Sequence, residues 1–234
     1  MEKRDLIYEG KAKKLYTTDD PDLVIQYFKD DATAFNAQKR GTIEDKGILN
    51  NHMSEIFFTL LAGEGVPNHF VKRLSDREML VKRLEIVPVE TVVRNIVAGS
   101  LAQRLGLEEG GDLPRPVVEY FYKNDTLGDP MINEDHILTF RFASEVELGK
   151  IRAMVLRINE VLRKFLDERG ILLVDAKFEF GRHKGEILLG DEICPDTCRF
   201  WDKTTREKLD KDRFRRDLGG VVEAYREVHQ RLSR

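Results

Sequence analysis

The chain has 234 residues, enough for one large domain or for two small lobes that share a core. Its composition, 41% hydrophobic and 35% charged, predicts a compact soluble protein and is unlike that of a disordered chain. Because 39 Lys and Arg residues are balanced by 42 Asp and Glu residues, the net charge is −3, and no global basic field attracts nucleic acid or an anionic membrane. Any recognition of phosphate must therefore be local.

Two features bear on the cellular compartment. The longest charge-free apolar stretch, around Ile56 to Gly63, is far shorter than the roughly 20 residues needed to span a bilayer. The N-terminal residues lead into no apolar signal sequence, and the two cysteines, Cys194 and Cys198, have no second Cys or His pair at zinc-finger spacing. We therefore expect a cytoplasmic protein with neither a disulfide framework nor a structural zinc site.

Six short segments rich in apolar and β-branched residues predict strands in the first hundred residues. A helix is expected among them over residues 48–61, where apolar side chains recur at helical spacing before Gly63 and Gly65. The predicted strands are residues 6–9, 14–16, 23–28, 70–72, 79–84 and 89–97. These elements together predict an antiparallel sheet crossed by one helix.

The rest of the chain mixes helices with strands. Ser100 begins a capping-box pattern that predicts a short helix, and a second capping box at Ser144 opens the longest predicted helix, which Gly170 closes. The last predicted elements are a strand over 171–180, a hairpin loop over 181–185, a strand over 186–189, an irregular acidic loop and a helix around 221–232. Because strands dominate the start and mix with helices later, we expect an α+β fold of two lobes.

The predicted strand around residue 177 carries the clearest signal of a functional site. Since side chains alternate along a strand, Asp175, Lys177 and Glu179 must share one face. The opposite face is expected to hold Val174, Ala176, Phe178 and Phe180. One face of this strand is therefore apolar, and the other is entirely charged.

The hairpin register decides whether another carboxylate joins the charged face. If Phe180 pairs with Glu186, Asp191 lies opposite Asp175. Carboxylates beside a lysine on a rigid hairpin suit Mg²⁺, which binds through one or two protein carboxylates plus substrate phosphates. An exposed strand face with weak cross-strand ion pairs is an equally open alternative.

Further clusters favour anions. Gly10 permits a close approach between strands and lies beside Lys11 and Lys13, although a solvated basic turn is the commoner explanation of such a pattern. Arg94 precedes Ser100 at a predicted helix N-terminus, which suits a phosphate or carboxylate, whereas an ordinary N-cap is the alternative for Ser100. A later loop, dense in polar residues, contains Asp196, Arg199, Asp202 and Lys211. No Walker A or G-x-G-x-x-G motif occurs.

Six motifs, taken in order, closely resemble the SAICAR synthetase family and extend from about Leu6 to the last helix. They are YEGKAKKLY, PVETVVRNIVAGSL, DPMINEDH, LVDAKFEFG, LGDEICPDTCRFWD and KDRFRRDLGG. The resemblance implies a two-lobed ATP-grasp-like α+β fold. Residues 1–85 would form an antiparallel β-rich lobe that covers the nucleotide, and residues 86–234 a larger mixed α/β lobe.

The resemblance also implies a reaction. ATP would drive the joining of CAIR, a carboxylated aminoimidazole ribonucleotide, to L-aspartate, giving SAICAR, ADP and phosphate through an acyl phosphate. Mg²⁺ would be the metal cofactor, and a homodimer is expected because the family is generally oligomeric. No nucleic acid or membrane partner is expected.

Site residues follow from the same resemblance. Nucleotide binding is expected from Lys11, Lys13, Lys82, Leu84, Glu179 and Asp191, of which Glu179 and Asp191 would hold the metal. CAIR binding is expected from Arg94, Ser100, Asp175, Lys177, Arg199 and Lys211, of which Asp175, Lys177 and Lys211 are the expected catalytic residues. Asp129 is a further candidate for the CAIR or metal region, and a structural turn is the alternative. Residues 30–37 and 39–51 are candidates for the aspartate site.

Two other functions are considered beside the ligase. A small-molecule kinase would use the same lysines and carboxylates, but Arg94, Ser100 and Arg199 suit a second anionic substrate. A non-catalytic nucleotide sensor would lack the metal carboxylates, whereas Glu179 and Asp191 are both present.

Overall fold

The structure is a computed structural model that describes residues 2–34 and 38–234. The early strands are β1 (Leu6–Glu9), β2 (Lys13–Thr17), β3 (Leu23–Phe28), β4 (Asp31–Ala34), β5 (Lys39–Thr42), β6 (Phe70–Arg73) and β7 (Glu78–Lys82). Five of them form the first sheet, in the spatial order β1-β2-β3-β7-β6, and every neighbouring pair is antiparallel. Strands β4 and β5 form a separate hairpin.

The second sheet is built around one long strand. Its members are β8 (Glu85–Ile96), β9 (Asp112–Tyr122), β10 (Met131–Ile132), β11 (Ile171–His183), β12 (Glu186–Leu189) and β13 (Cys198–Asp202). The order is β10-β9-β8-β11-β12, and β13 pairs with the early part of β11. Strand β11 therefore contacts three partner strands and lies at the centre of the sheet.

The described residues also form six α-helices. They are α1 (Lys46–Gly63), α2 (Gly99–Leu105), α3 (Glu134–Thr139), α4 (Glu145–Asp167), α5 (Asp212–Arg215) and α6 (Val221–Leu232). Helix α4 packs on β11, whereas α1 contacts α6, α4 and strands β3 and β6 of the first sheet. The main core thus holds side chains of α1, α4, α6 and β11 together. Within the described residues, no helix combines the length and the apolar character needed to cross a membrane.

The elements predicted with a strong local signal are confirmed. The predicted helix over 48–61 corresponds to α1, and the predicted terminal helix corresponds to α6. Helix α4 begins after the predicted capping box: Ser144 Oγ accepts from the Glu147 amide (3.3 Å), and Glu147 Oε2 accepts from the Ser144 amide (2.8 Å). The first sheet is antiparallel, as predicted, but the strand predicted over 89–97 does not continue it: that segment is part of β8 in the second sheet.

The predicted hairpin register is wrong. Phe180 pairs with Leu189 rather than with Glu186, because β11 continues beyond Phe180 before the chain turns. The turn consists of Lys184 and Gly185, which both have positive φ (50° and 84°), as a two-residue type I′ turn requires. The five-residue loop expected over 181–185 is therefore a two-residue turn.

This register changes the neighbours of the charged face. Asp191 does not lie opposite Asp175, which pairs with Arg94 of β8 on one side and with Arg199 of β13 on the other. The segment predicted as an irregular acidic loop contains strand β13, so Arg199 is fixed in the sheet. Asp175 consequently lies between two arginines.

Strand β11 also departs from strict alternation. Leu173 and Ala176 both belong to the main core, although residues three apart on a regular strand face opposite sides. The register with β13 shifts between Leu173 and Asp175, and an irregularity of this kind reverses the alternation. Val174, predicted to share one face of the strand with Ala176, packs instead in a small cluster with Trp201.

The predicted capping role of Ser100 is wrong as well. Helix α2 begins at Gly99, and its N-cap Ala98 is extended and makes no side-chain cap. The Ser100 hydroxyl instead accepts a hydrogen bond from Arg94 Nη2 (2.9 Å). The residue is therefore part of the Arg94 environment rather than a cap.

The acid sensitivity of the fold can be tested at the start of α4. An ion pair with Arg182 and the bonds from Ser144 outweigh partial burial and lower the pKa of Glu147 to about 2. Because this folded-state pKa lies below the ordinary value of 4.5, the stabilisation is present above pH 4.5 and is lost as the pH falls toward 2. We expect Glu147→Gln, which can still cap, to lower the free energy of unfolding by about 1–2 kcal/mol at pH 7.

Urea unfolding between pH 7 and pH 2.5 measures this difference, which should shrink steadily below pH 4.5. Glu145→Gln, in the same first turn of α4, is the matched control. A Glu147→Gln deficit that stays constant down to pH 2.5 would contradict the assigned ion pair.

Candidate active site

A cleft of about 560 Å³, the main cleft, lies between the two sheets. The β1–β2 hairpin and strands β3 and β7 form one side, and strands β8 and β11 form the other. The predicted residues that line it are Lys11, Lys13, Lys82, Leu84, Lys177, Glu179, Asp191 and Lys211. All residues predicted to bind nucleotide are thus brought together.

A smaller pocket of about 210 Å³, the side pocket, adjoins the main cleft. The predicted residues that line it are Arg94, Ser100, Asp175, Lys177 and Arg199. The lining residues common to both cavities are Glu90, Asp129, Lys177, Asp196 and Thr197. Lys177 therefore stands at the junction of the two cavities.

Charged side chains of β11 pair with opposite charges on neighbouring elements. Lys177 Nζ donates to Glu90 Oε1 (2.6 Å), and Lys123 Nζ donates to Glu179 Oε1 (2.6 Å). Burial would raise the pKa of Glu179, but Lys177, Lys123 and Lys13 outweigh it and lower that pKa to about 2. Glu179 is therefore an anion at any physiological pH.

Lys13 of the first sheet forms ion pairs with carboxylates that follow β12 of the second sheet. Its ammonium pairs with Asp191 and Glu192, which follow β12. The Gly190 amide donates to the Glu179 carbonyl (2.9 Å), so the chain keeps Asp191 close to Glu179. Glu179, Asp191 and Lys13 thus all line the main cleft, and the lysine comes from the hairpin side.

A second lysine of the same hairpin spans the mouth of the cleft. Lys11 Nζ contacts Asp125 Oδ1 (2.7 Å), which lies in a short 3₁₀ turn (Asp125–Leu127) after β9. Both side chains are exposed, so this pair contributes little to stability. It shows that the predicted phosphate-binding hairpin reaches across to the other sheet.

Leu84 lies in the connection between the two sheets and is held by two glycines. A Cβ atom on Gly181 would lie 2.7 Å from Leu84 Cβ, and one on Gly190 would lie 2.8 Å from Leu84 Cδ1. Only residues without a side chain allow Leu84 to pack this closely against the second sheet. The glycines therefore set how far Leu84 projects into the main cleft.

The base of the main cleft beside Lys82 holds a neutral histidine. The Lys82 amide donates to the His69 carbonyl (2.7 Å), and burial, together with Lys13 and Lys82, lowers the pKa of His69 to about 3. His69 Nε2 and Gln26 Nε2 are buried with no hydrogen-bond partner among the described residues, and both residues line the cleft. Sequence reasoning gave neither of them a role.

The side pocket is built on Asp175. Its Oδ2 accepts from Arg94 Nη1 (2.9 Å) and from Arg199 Nη1 (2.8 Å). Gly99, at φ 52°, permits this arrangement, because a Cβ atom there would lie 2.5 Å from Arg199 Nη2. One carboxylate thus fixes two guanidinium groups beside the Ser100 hydroxyl, a set of donors suited to an anion.

Residues that sequence reasoning missed support these groups from behind. Arg94 Nε donates to Glu119 Oε2 (2.7 Å), and Arg199 Nε donates to Asp212 Oδ2 (2.9 Å). Lys123, the partner of Glu179, was also missed. No local pattern identifies these three residues, because each is defined by a partner elsewhere in the chain.

The described side chains supply some, but not all, of the ligands that a hard cation such as Mg²⁺ needs. Among the residues that the structure describes, no three His, Cys, Asp or Glu side chains form a group that could hold a metal. Glu179 and Asp191 nevertheless supply carboxylate oxygens to the same cleft wall, and Mg²⁺ commonly takes one or two such ligands with phosphates. These two residues therefore fit a metal that arrives with a nucleotide.

The candidates for the aspartate site are only partly described. Phe35, Asn36 and Ala37 lie outside the described residues. Thr33 lines the main cleft, whereas Lys39 Nζ donates to the Phe214 carbonyl (2.6 Å).

Comparison with known proteins extends over the whole chain. The family described as SAICAR synthetase matches residues 6–232. The phosphoribosylaminoimidazole-succinocarboxamide synthase of Desulfitobacterium hafniense is 59% identical over 233 residues, which cover 100% of this chain and 98% of that protein. The synthase of the same name from Clostridium acetobutylicum is 57% identical and is covered to 99%.

Solved structures of the same family are also similar to this chain. The phosphoribosylaminoimidazole-succinocarboxamide synthase of Ehrlichia chaffeensis superposes with a TM-score of 0.96 at 46% identity, over 98% of each chain. A SAICAR synthetase in complex with ADP superposes with a TM-score of 0.94 at 50% identity, over 96% of each chain. From its motifs, its fold and these relatives, the chain belongs to the SAICAR synthetase family.

Proposed function

We propose that the protein is an ATP-dependent ligase that joins CAIR to L-aspartate and releases SAICAR, ADP and phosphate. The observation that carries the proposal is the junction at Lys177 of two differently built cavities. The main cleft is lined by lysines and carboxylates, which suit a nucleoside triphosphate and its metal ion. The side pocket is lined by Arg94, Arg199 and Ser100, which suit a second anion. A ribonucleotide phosphate suits the second set.

The chemistry explains why two anionic substrates must meet. A carboxylate is a poor acyl donor because its leaving group would be oxide, so its oxygen first attacks the γ-phosphorus of ATP and ADP departs. The aspartate nitrogen then attacks the acyl carbon of this acyl phosphate, loses a proton and expels phosphate. The first step requires ATP and CAIR to be bound side by side. Two cavities that share lining residues allow this arrangement.

The residues of the cleft have separate parts in this scheme. Lys11 and Lys13 would bind the phosphates from the hairpin, and Lys177, at the junction, would stabilise charge on the transferred phosphoryl group. Glu179 and Asp191 would hold Mg²⁺, which neutralises phosphate charge when bound. Lys177 would have to exchange its contact with Glu90 for the substrates.

From the resemblance we also propose an ATP-grasp-like fold, lobes of residues 1–85 and 86–234, and a homodimer. A cytoplasmic location is proposed from the sequence alone. The ADP complex of a relative supports the use of an adenine nucleotide.

Phosphate release tests the proposed reaction. The protein is incubated with ATP, Mg²⁺, CAIR and aspartate, and then with each component omitted, while the succinyl-carboxamide product is followed by mass spectrometry. We expect phosphate and product in equal amounts in the complete mixture alone. ATP turnover that ignores aspartate would replace the ligase with a kinase, and binding of ATP without turnover would indicate a nucleotide sensor.

Lys177→Ala tests the junction of the two cavities. We expect kcat to fall by roughly a thousandfold or more, because a preorganised charge at the transferred phosphoryl group is lost. The fold should remain intact, since Lys123 still neutralises Glu179. Lys150→Ala, which removes an exposed lysine of α4, is the control, and near-normal turnover of Lys177→Ala would reject the assigned role.

Gly190→Ala tests the placement of Leu84. The added methyl group would lie 2.8 Å from Leu84 Cδ1 and must displace that side chain, which lines the main cleft. We expect ADP to bind about three- to tenfold more weakly in calorimetry, a loss of about 1 kcal/mol. Gly149→Ala, in α4 with nothing within 4 Å of the new atom, is the control. Unchanged ADP affinity in Gly190→Ala would show that Leu84 does not border the nucleotide.

A further inference from the structure

Asp196 lies at the junction of the main cleft and the side pocket, and its side chain is only 4% exposed. Its Oδ2 accepts from Lys46 Nζ (2.7 Å) and from Asn50 Nδ2 (3.0 Å), both on α1. Its Oδ1 accepts from the hydroxyl of Tyr225 on α6 (2.7 Å). Both oxygens of this buried carboxylate are therefore bound by groups outside the two cavities.

Lys211 faces the same carboxylate without a hydrogen bond to it. Its Nζ lies 3.8 Å from Asp196 Oδ1, the oxygen that Tyr225 binds, and this distance exceeds that of a hydrogen bond. Lys211 lines the main cleft, and its side chain is 13% exposed. At this distance the two groups form only a long ion pair. The hydrogen bonds to Asp196 come instead from Lys46, Asn50 and Tyr225.

We propose that Tyr225 is a positioning residue: by binding Asp196 Oδ1, its hydroxyl keeps the Lys211 ammonium available to the substrate in the cleft. Lys46 makes this arrangement electrostatically possible, because it already neutralises Asp196 through Oδ2. Tyr225 itself is fully buried and lines neither cavity, so it acts through Asp196 and touches no substrate. The C-terminal helix α6 thereby influences the active site without lining it.

The charges around Lys211 fit this arrangement. Burial lowers its pKa, and Lys46 of α1 and Arg215 of α5 lower it further, against the opposite effect of Asp196 and of the Cys194 thiol. A hydrogen bond to Asp196 would strengthen the effect that raises this pKa. Tyr225 therefore keeps the pKa of Lys211 lower than it would be if Lys211 were hydrogen-bonded to Asp196.

Tyr225→Phe tests the proposal, because it retains the buried ring and removes only the hydroxyl. We expect Lys211 to close on Asp196 Oδ1, so that its pKa rises and its reactivity falls. Acetic anhydride labelling of the whole protein across pH 7–11, followed by peptide mass spectrometry, reports the titration midpoint of Lys211. The midpoint should be below that of exposed lysines in the unaltered protein and should rise in Tyr225→Phe.

Tyr120→Phe is the matched control, because Tyr120 is also buried and its hydroxyl also faces a carboxylate, that of Glu134, away from both cavities. Melting curves compare the folding of both variants, and a merely structural role of Tyr225 would lower stability without moving the Lys211 midpoint. An unmoved midpoint in Tyr225→Phe overturns the proposal.

A kinetic arm connects this inference to the proposed function, on which the role of Lys211 rests. We expect Tyr225→Phe to lower kcat/KM for CAIR by about tenfold, with KM for ATP unchanged. If the unaltered protein forms no SAICAR, the proposed function fails, whereas the labelling result still decides the role of Tyr225. An unchanged kcat/KM for CAIR, beside a raised midpoint, overturns the link between Tyr225 and the substrate.

Discussion

The burial of charged side chains is the constraint on which the rest of this structure depends. Glu179 and Arg94 are 5% and 3% exposed, and a buried ion is tolerated only when an opposite charge lies beside it. The required partners come from other strands and often from the other sheet, as Lys13 does for Asp191. Pairing of charges thus joins the two sheets at the place where substrates would bind. The same pairs leave cations and anions alternating along the cleft, ready to exchange partners.

Local sequence patterns were sufficient where the signal lies within a few residues. The capping box of Ser144 gave the start of α4, and strict alternation around Lys177 gave the charged face of β11. Strand β9 was not predicted, because Pro114 and Pro116 within it argue against a strand. The hairpin register was predicted wrongly, because the tight turn at Lys184 depends on a left-handed conformation that a lysine rarely adopts.

The candidate site was predictable in its members but not in its connections. Family motifs named residues that the fold does gather around two adjoining cavities. Glu119 and Lys123 lie outside the family motifs, and the motif that contains Asp212 does not indicate its contact with Arg199. The tertiary fold brings these residues to Arg94, Glu179 and Arg199. Strand parity states which face a side chain occupies, whereas the identity of its neighbour depends on register across long separations in sequence.

The central position of β11 has a consequence for how the protein matures. The side pocket combines Arg94 and Gly99 from the middle of the chain with Asp175 and Arg199, which are synthesised much later. A chain still emerging from the ribosome therefore has no complete anion pocket until β13 has paired with β11. Contacts between such distant segments also form slowly, because a long loop must close first. Ligands of this pocket select the finished molecule and stabilise it against partial opening.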